Sequence, residues 1–316
     1  MNLMKAESPG PSVSKLVPKV QSTAKILYTI YFGMTLIQLA LLLIGRVPLF
    51  DSLCITFGTA GTGGFGIVND SLGSYSTYCQ VVTTIFMILF GVNFSAYYLI
   101  LTKKFRQAFK YEEVRYYFGI IAVAIVIIAL NTAHLFRNLL TAFQQAAFQV
   151  GSIITTTGFS STDFNQWPAL SKTVLVLLIF VGACAGSTGG GIKVSRILIL
   201  CKAAKKEFQL YLHPNAVKKI KMDDKVITHD ILRSTNIYIS LYLMILAASV
   251  LLIAIDNFDL ITNFMAVKAT LNNLGSGFAI VGPLGNFSSF FFLSQCFLIF
   301  GMLSGRLGSF PPSLAS

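Results

Sequence analysis

Three times along the chain, an apolar segment too short to cross a bilayer runs into small uncharged residues and closes on a Gly-Phe pair. The segments are Leu49–Ala60, Leu139–Ile154 and Leu260–Leu271, and the pairs are Gly64-Phe65, Gly158-Phe159 and Gly277-Phe278. Apolar runs of about 10–14 residues read as re-entrant or buried rather than spanning. Each lies between two longer apolar runs. The chain therefore reads as three repeats of helix, half-helix, extended stretch and helix, a self-similarity that fixes the architecture before any motif is consulted.

The longer runs cover residues 26–44, 81–101, 116–135, 173–200 with a glycine-rich break, 238–255 and 290–303. They predict six spans of about 30 Å of hydrocarbon. Charged residues are 11% of the chain, against about 25% in a soluble domain, which excludes a water-soluble globular fold. Basic residues fix the orientation. Lys5, Lys15, Lys19 and Lys25 precede the first run, five Lys and Arg lie between Lys103 and Arg115, and eight between Lys202 and Arg233. Residues 48–80 have none, and the other two opposite-face connections hold only Arg137, Lys172 and Lys268. Both termini are therefore expected in the cytoplasm. The net charge of +12 follows from this loop asymmetry rather than from a nucleic-acid-binding face. The N-terminal stretch is polar and is not a signal peptide.

Non-helical backbone at membrane depth survives only where it lines water or is buried in protein, because each unpaired carbonyl in lipid costs several kcal/mol. The stretches after the half-helices must then line a cavity. Their Thr and Gly residues offer carbonyls and hydroxyls that replace the water shell of a monovalent cation, and glycine permits the backbone geometry that turns carbonyls inward. The half-helices add their partially negative C-terminal ends. A cation pathway follows, with filter glycines Gly64, Gly158 and Gly277. Asp70 and Asp163, a few residues beyond two of these glycines, either draw cations to the mouth or are simply solvated.

Other chemistries fit less well. Gly61 to Gly66 formally matches G-x-G-x-x-G, but no strand precedes it and no βαβ unit surrounds it. Five cysteines contain no C-x-x-C pair, so neither a metal site nor a disulfide framework is indicated, although Cys54 and Cys79 fall near the same face. His134, His213 and His229 are isolated and acids are scarce, so no enzyme and no cofactor is expected. In the fourth run, five glycines between Gly182 and Gly191 will not stay helical, at about 1 kcal/mol each, and a mobile loop below the filter is expected. Gly191-Ile192-Lys193 lacks the ending of a phosphate-binding loop. Lys193 either snorkels to the cytoplasmic end or faces the pore.

The stretches Thr155-Thr-Thr-Gly-Phe-Ser-Ser-Thr-Asp163, Gly186-Ser-Thr-Gly-Gly-Gly-Ile-Lys193 and Ala269-Thr-Leu-Asn-Asn-Leu-Gly-Ser-Gly277 together resemble the TrkH, KtrB and HKT superfamily of potassium transporters, throughout residues 25–307. The resemblance implies an all-α polytopic membrane protein in the bacterial cytoplasmic membrane, taking up K⁺ as transported ion. Repeated helix–pore-loop–helix units would surround a central cation pore. It implies a homodimer and a cytoplasmic nucleotide-binding regulatory subunit. Matched to the family's four repeats, the chain holds the second (25–110), third (111–206) and fourth (232–316), after a lead-in at 1–24 and with a cytoplasmic loop at 207–231; the first repeat is absent. The filter set becomes Thr62, Gly63, Gly64, Thr156, Thr157, Gly158, Asn273, Leu274, Gly275 and Gly277. The gate set becomes Gly186, Ser187, Thr188, Gly189, Gly190, Gly191, Lys193 and Arg306. Family members continue after Gly-Arg-Leu with an acidic residue and more apolar helix, whereas Gly305-Arg306-Leu307 is followed by Gly308, Ser309 and Phe310 and then a Pro-Pro pair. A non-transporting membrane scaffold is the rival reading.

Overall fold

The structure is a computed structural model that describes residues 20–108, 110–213, 219–223, 225–283 and 285–306. The lead-in to residue 19 and the residues after Arg306 lie outside the described residues, as does the Arg306 side chain. Helices occur in the order α1 (Val20–Ile44), α2 (Leu49–Ala60), α3 (Thr77–Phe90), α4 (Phe94–Leu101), α5 (Phe105–Ala108), α6 (Glu112–Thr132), α7 (Leu139–Ile154), α8 (Ala169–Val181) and α9 (Val194–Leu212). A two-residue antiparallel hairpin, β1 (Lys221–Met222) and β2 (Lys225–Val226), precedes α10 (His229–Ile253), α11 (Leu260–Leu271) and α12 (Phe292–Arg306).

The three short helices begin and end where the apolar runs do. Each is packed between the helices that flank it in sequence: α2 between α1 and α3, α7 between α6 and α8, α11 between α10 and α12. Helix α3 also packs on α7, joining the first unit to the second. One apolar core runs through the second and third units, and a smaller one fills the first and takes in Phe148 and Phe159 from the second.

Among the described residues three helices are long and apolar enough to cross a membrane, Ala24–Ile44, Glu112–Leu135 and His229–Asp256. The second and sixth expected spans differ, while the fourth is interrupted at the expected place. The second is broken between α3 and α4 with a 94° bend. Gly91 caps α3, and Asn93 starts α4 by accepting a hydrogen bond from Ser95 N at 2.9 Å, so a capping residue opens a new helix where composition suggested continuity. The fourth stops at Val181 and resumes at Val194, at the glycine-rich break. The sixth run is a 15-residue helix, about 22 Å long. Residues 207–212, expected in a loop, continue α9.

Candidate functional site

Each of the short helices α2, α7 and α11 ends in the same turn. The amides of Gly61, Thr155 and Asn272 bond back to the carbonyls of Phe57, Gly151 and Lys268 at 2.9, 3.2 and 3.2 Å. Two residues later Gly63, Thr157 and Leu274 bond to Gly58, Ser152 and Ala269 at 2.8, 2.9 and 2.8 Å. Between them Thr62, Thr156 and Asn273 sit in the left-handed region at φ of 52°, 56° and 55°. This is how a helix C-terminus satisfies its last carbonyls while turning the chain. A glycine of positive φ follows in every copy: Gly64 at 66°, Gly158 at 93° and Gly275 at 84°.

The third glycine corrects the Gly-Phe alignment. Gly275, not Gly277, is the counterpart of Gly64 and Gly158. Gly277 donates to Val281 O at 2.6 Å, and a Cβ on it would meet Val281 Cγ2 at 2.9 Å. The phenylalanines are not equivalent either. Phe65 is 71% exposed, Phe159 is 1% exposed, and Phe278 packs edge-on to Phe164.

The three strands converge. A Cβ on Gly64 would lie 1.7 Å from Thr157 O, and one on Gly158 would lie 1.8 Å from Leu274 O. No side chain fits at either place, so glycine is required by close approach as well as by φ. The third seam is looser, with the Cβ of Gly275 at 3.7 Å from Gly63 O. Ser276 Oγ donates to Gly158 O at 3.1 Å across the second seam. The expected residues Gly63, Gly64, Thr157, Gly158, Leu274 and Gly275 are thus brought together, while Thr62, Thr156 and Asn273 hold the turns behind them.

The glycine-rich stretch between α8 and α9 lies against all three turns. Thr62 Oγ1 donates to Thr188 O at 3.0 Å, Gly190 N donates to Thr156 Oγ1 at 2.6 Å, and a Cβ on Gly190 would meet Asn272 O at 2.4 Å. Two further ties reach the break in the second run: Cys184 N to Gly91 O at 3.0 Å and Phe94 N to Gly186 O at 3.1 Å. Ser187 Oγ closes a local turn on Cys184 O at 2.6 Å. Lys193, at φ 81°, folds its amine back onto Gly189 O.

Gly91 ends a helix inside the second run, and a Cβ there would meet Tyr117 Oη at 2.3 Å and Thr155 Cγ2 at 2.7 Å. Lys268, counted above among loop charges, is 0% exposed inside α11, with Nζ 3.3 Å from the Phe180 ring centroid. It donates to Tyr242 Oη, which donates to Asn272 Oδ1 at 3.0 Å, while Asn272 Nδ2 donates to Ile179 O at 2.8 Å. The second turn is braced differently, by Gln144 and Gln145 donating to Gln80 Oε1 at 3.2 Å each and by Gln149 donating to Thr162 O at 3.4 Å. These braces were missed, and the available signal was polar residues inside otherwise apolar half-helices. Asp163 accepts from Asn165 N at 3.0 Å and Gln166 Nε2 at 3.2 Å, and Asp70 accepts from Ser74 Oγ, so both acids serve local turns. All five cysteines are free thiols. Among the described residues no group of three His, Cys, Asp or Glu side chains gathers.

The family profile described as "TrkH: Cation transport protein" matches residues 1–316. The Trk system potassium uptake protein TrkH of Salmonella typhimurium is 35% identical over 315 residues, covering 98% of this chain and 65% of that protein. The Trk system potassium uptake protein TrkG of Escherichia coli is 29% identical, over 98% of this chain and 64% of that protein. The crystal structure of the potassium transporter TrkH from Vibrio parahaemolyticus superposes with a TM-score of 0.87 at 30% identity, covering 99% of this chain and 68% of that one. The chain spans about 65% of the length of the curated relatives it matches. It belongs to the TrkH family of membrane cation transport proteins.

Proposed function

We propose, from that family membership, that this chain forms the wall of a K⁺ uptake pathway across the bacterial cytoplasmic membrane. The carbonyls of the strands after α2, α7 and α11 form the filter, and the stretch from Gly186 to Gly191 with Lys193 is the gate. The observation that carries the reading is the threefold recurrence of one helix-ending turn whose glycines lie against the neighbouring strand's carbonyl. Oriented carbonyls at helix C-termini favour a cation without fixed charge. The contacts of the glycine-rich stretch with all three turns support its reading as a gate. A homodimer and a cytoplasmic nucleotide-binding partner at the basic loop complete the proposed assembly, and Arg306 joins the gate on family resemblance.

The test is cation flux into proteoliposomes, by this chain and by the chain joined to a relative's first repeat. K⁺ entry exceeding Na⁺ entry by the joined protein is expected. No flux from either preparation, with both folded in the membrane, leaves the scaffold reading in place.

A further inference from the structure

Glu113 is the second residue of α6 and is 4% exposed. Its Oε1 accepts from Ala185 N at 2.6 Å and from Ser195 N at 3.1 Å. These amides stand at the two ends of the glycine-rich stretch, so one carboxyl oxygen holds its entry and its exit. The preceding residue faces the other way. Glu112 N donates to Asp223 Oδ1 at 2.8 Å, the Glu112 carboxylate pairs with Lys202 of α9, and Lys202 also donates to Lys221 O at 2.7 Å. Met222, 3% exposed, roots the β1–β2 hairpin in the apolar core.

Two adjacent acids at one helix N-terminus therefore touch the hairpin on one side and the stretch on the other. A buried carboxyl is costly unless hydrogen bonded, and a helix N-terminus is where negative charge is best tolerated. We propose that Glu113 is a positioning residue that latches residues 182–195, and that the hairpin is a lever reaching that latch through the first turn of α6. Displacing the hairpin shifts the α6 N-terminus and so loosens both ends of the stretch at once. The functional consequence rests on the gate reading above, whereas the latch itself does not.

The experiment is hydrogen–deuterium exchange of the full chain in lipid nanodiscs, read in peptides covering residues 182–196, α2 and α7. Glu113→Ala should speed exchange in 182–196 by about tenfold or more and leave α2 and α7 unchanged, since local opening is independent of the global one. Glu113→Gln keeps an accepting oxygen and should stay within about threefold of the parent. Asp223→Ala should fall between them. Unchanged exchange in Glu113→Ala overturns the latch, and so does a rise spread over α2 and α7, because the residue then holds the fold and not the stretch. No effect of Asp223→Ala overturns the lever. Cation flux through the same variants of the chain joined to a relative's first repeat is a separate readout: a loosened stretch with unaltered flux supports the latch and removes the gate reading.

Discussion

At the left-handed position of the turn that ends it, the second short helix carries Thr156, and the third carries Asn273. Asparagine visits this region at little cost, whereas a β-branched residue there is strained, by about 1–3 kcal/mol. The side chains diverge as well. Asn273 Nδ2 donates to Met302 O at 3.0 Å in α12, whereas Thr156 Oγ1 accepts from Gly190 N at 2.6 Å in the glycine-rich stretch. The backbone is held constant while its anchorage is reassigned, and the strained residue stands where the turn meets the part proposed to move. That placement fits the tendency of local strain to be kept at functional sites.

The comparison breaks or sharpens most forcefully at the glycines. Gly158→Ser must displace the Leu274 carbonyl, so loss of K⁺-selective uptake and a drop of several kcal/mol in stability are expected. Gly275→Ser has ordinary contact distance and should cost about 1 kcal/mol through its φ alone. Gly119→Ser, with nothing within 4 Å of its Cβ, should change nothing. Thermal unfolding in detergent together with K⁺ and Na⁺ uptake ranks the three, and equal effects at Gly158 and Gly119 would remove the filter assignment.

The braces come next. Lys268 stands where the second segment has Gly151. Tyr242→Phe strips Asn272 of a donor and Lys268 of an acceptor, for about 1–3 kcal/mol. Lys268→Met removes the amine but keeps the stem, and Tyr242 still donates to Asn272, so a cost within about 1 kcal/mol is expected. If Lys268→Met is the more damaging in thermal unfolding, the amine and not the Tyr242–Asn272 bond is the brace.

Smaller still is the exchange of the two left-handed residues. Asn273→Thr should cost about 1 kcal/mol. Thr156→Asn should relieve backbone strain by a similar amount while loosening Gly190, seen as faster exchange of that amide. Ser276→Ala, which deletes one hydrogen bond to Gly158 O, should move stability by about 0.5–1 kcal/mol and narrow the K⁺ over Na⁺ preference slightly.

Much of the fold was legible because apolar runs bounded by Pro48, Asn138 and Asp259 leave little freedom in where the half-helices begin. The break at Gly91 was not legible, since one glycine and one asparagine in an apolar run are also compatible with a continuous helix. The third positive-φ glycine, Gly275, was missed as the counterpart of Gly64 and Gly158 for a physical reason. The turn is counted forward from the last carbonyls of the half-helix, and the phenylalanine used as a landmark follows whatever packing is available, none for the exposed Phe65 and the Phe164 ring for Phe278. Glu113 was unreadable in principle. Its partners are backbone amides far along the chain, which leave no residue type to recognise.

The seams of the strand ring have a sense of direction. Gly64 leans on the carbonyl before Gly158, and Gly158 leans on the carbonyl before Gly275, so the contact is head-to-tail rather than mutual. In such a chiral ring each position's tolerance is set by its successor and not by its predecessor. A side chain at Gly64 therefore presses on Thr157, and one at Gly158 presses on Leu274. Mutational damage should then run forward along the chain, from the first copy into the second and from the second into the third.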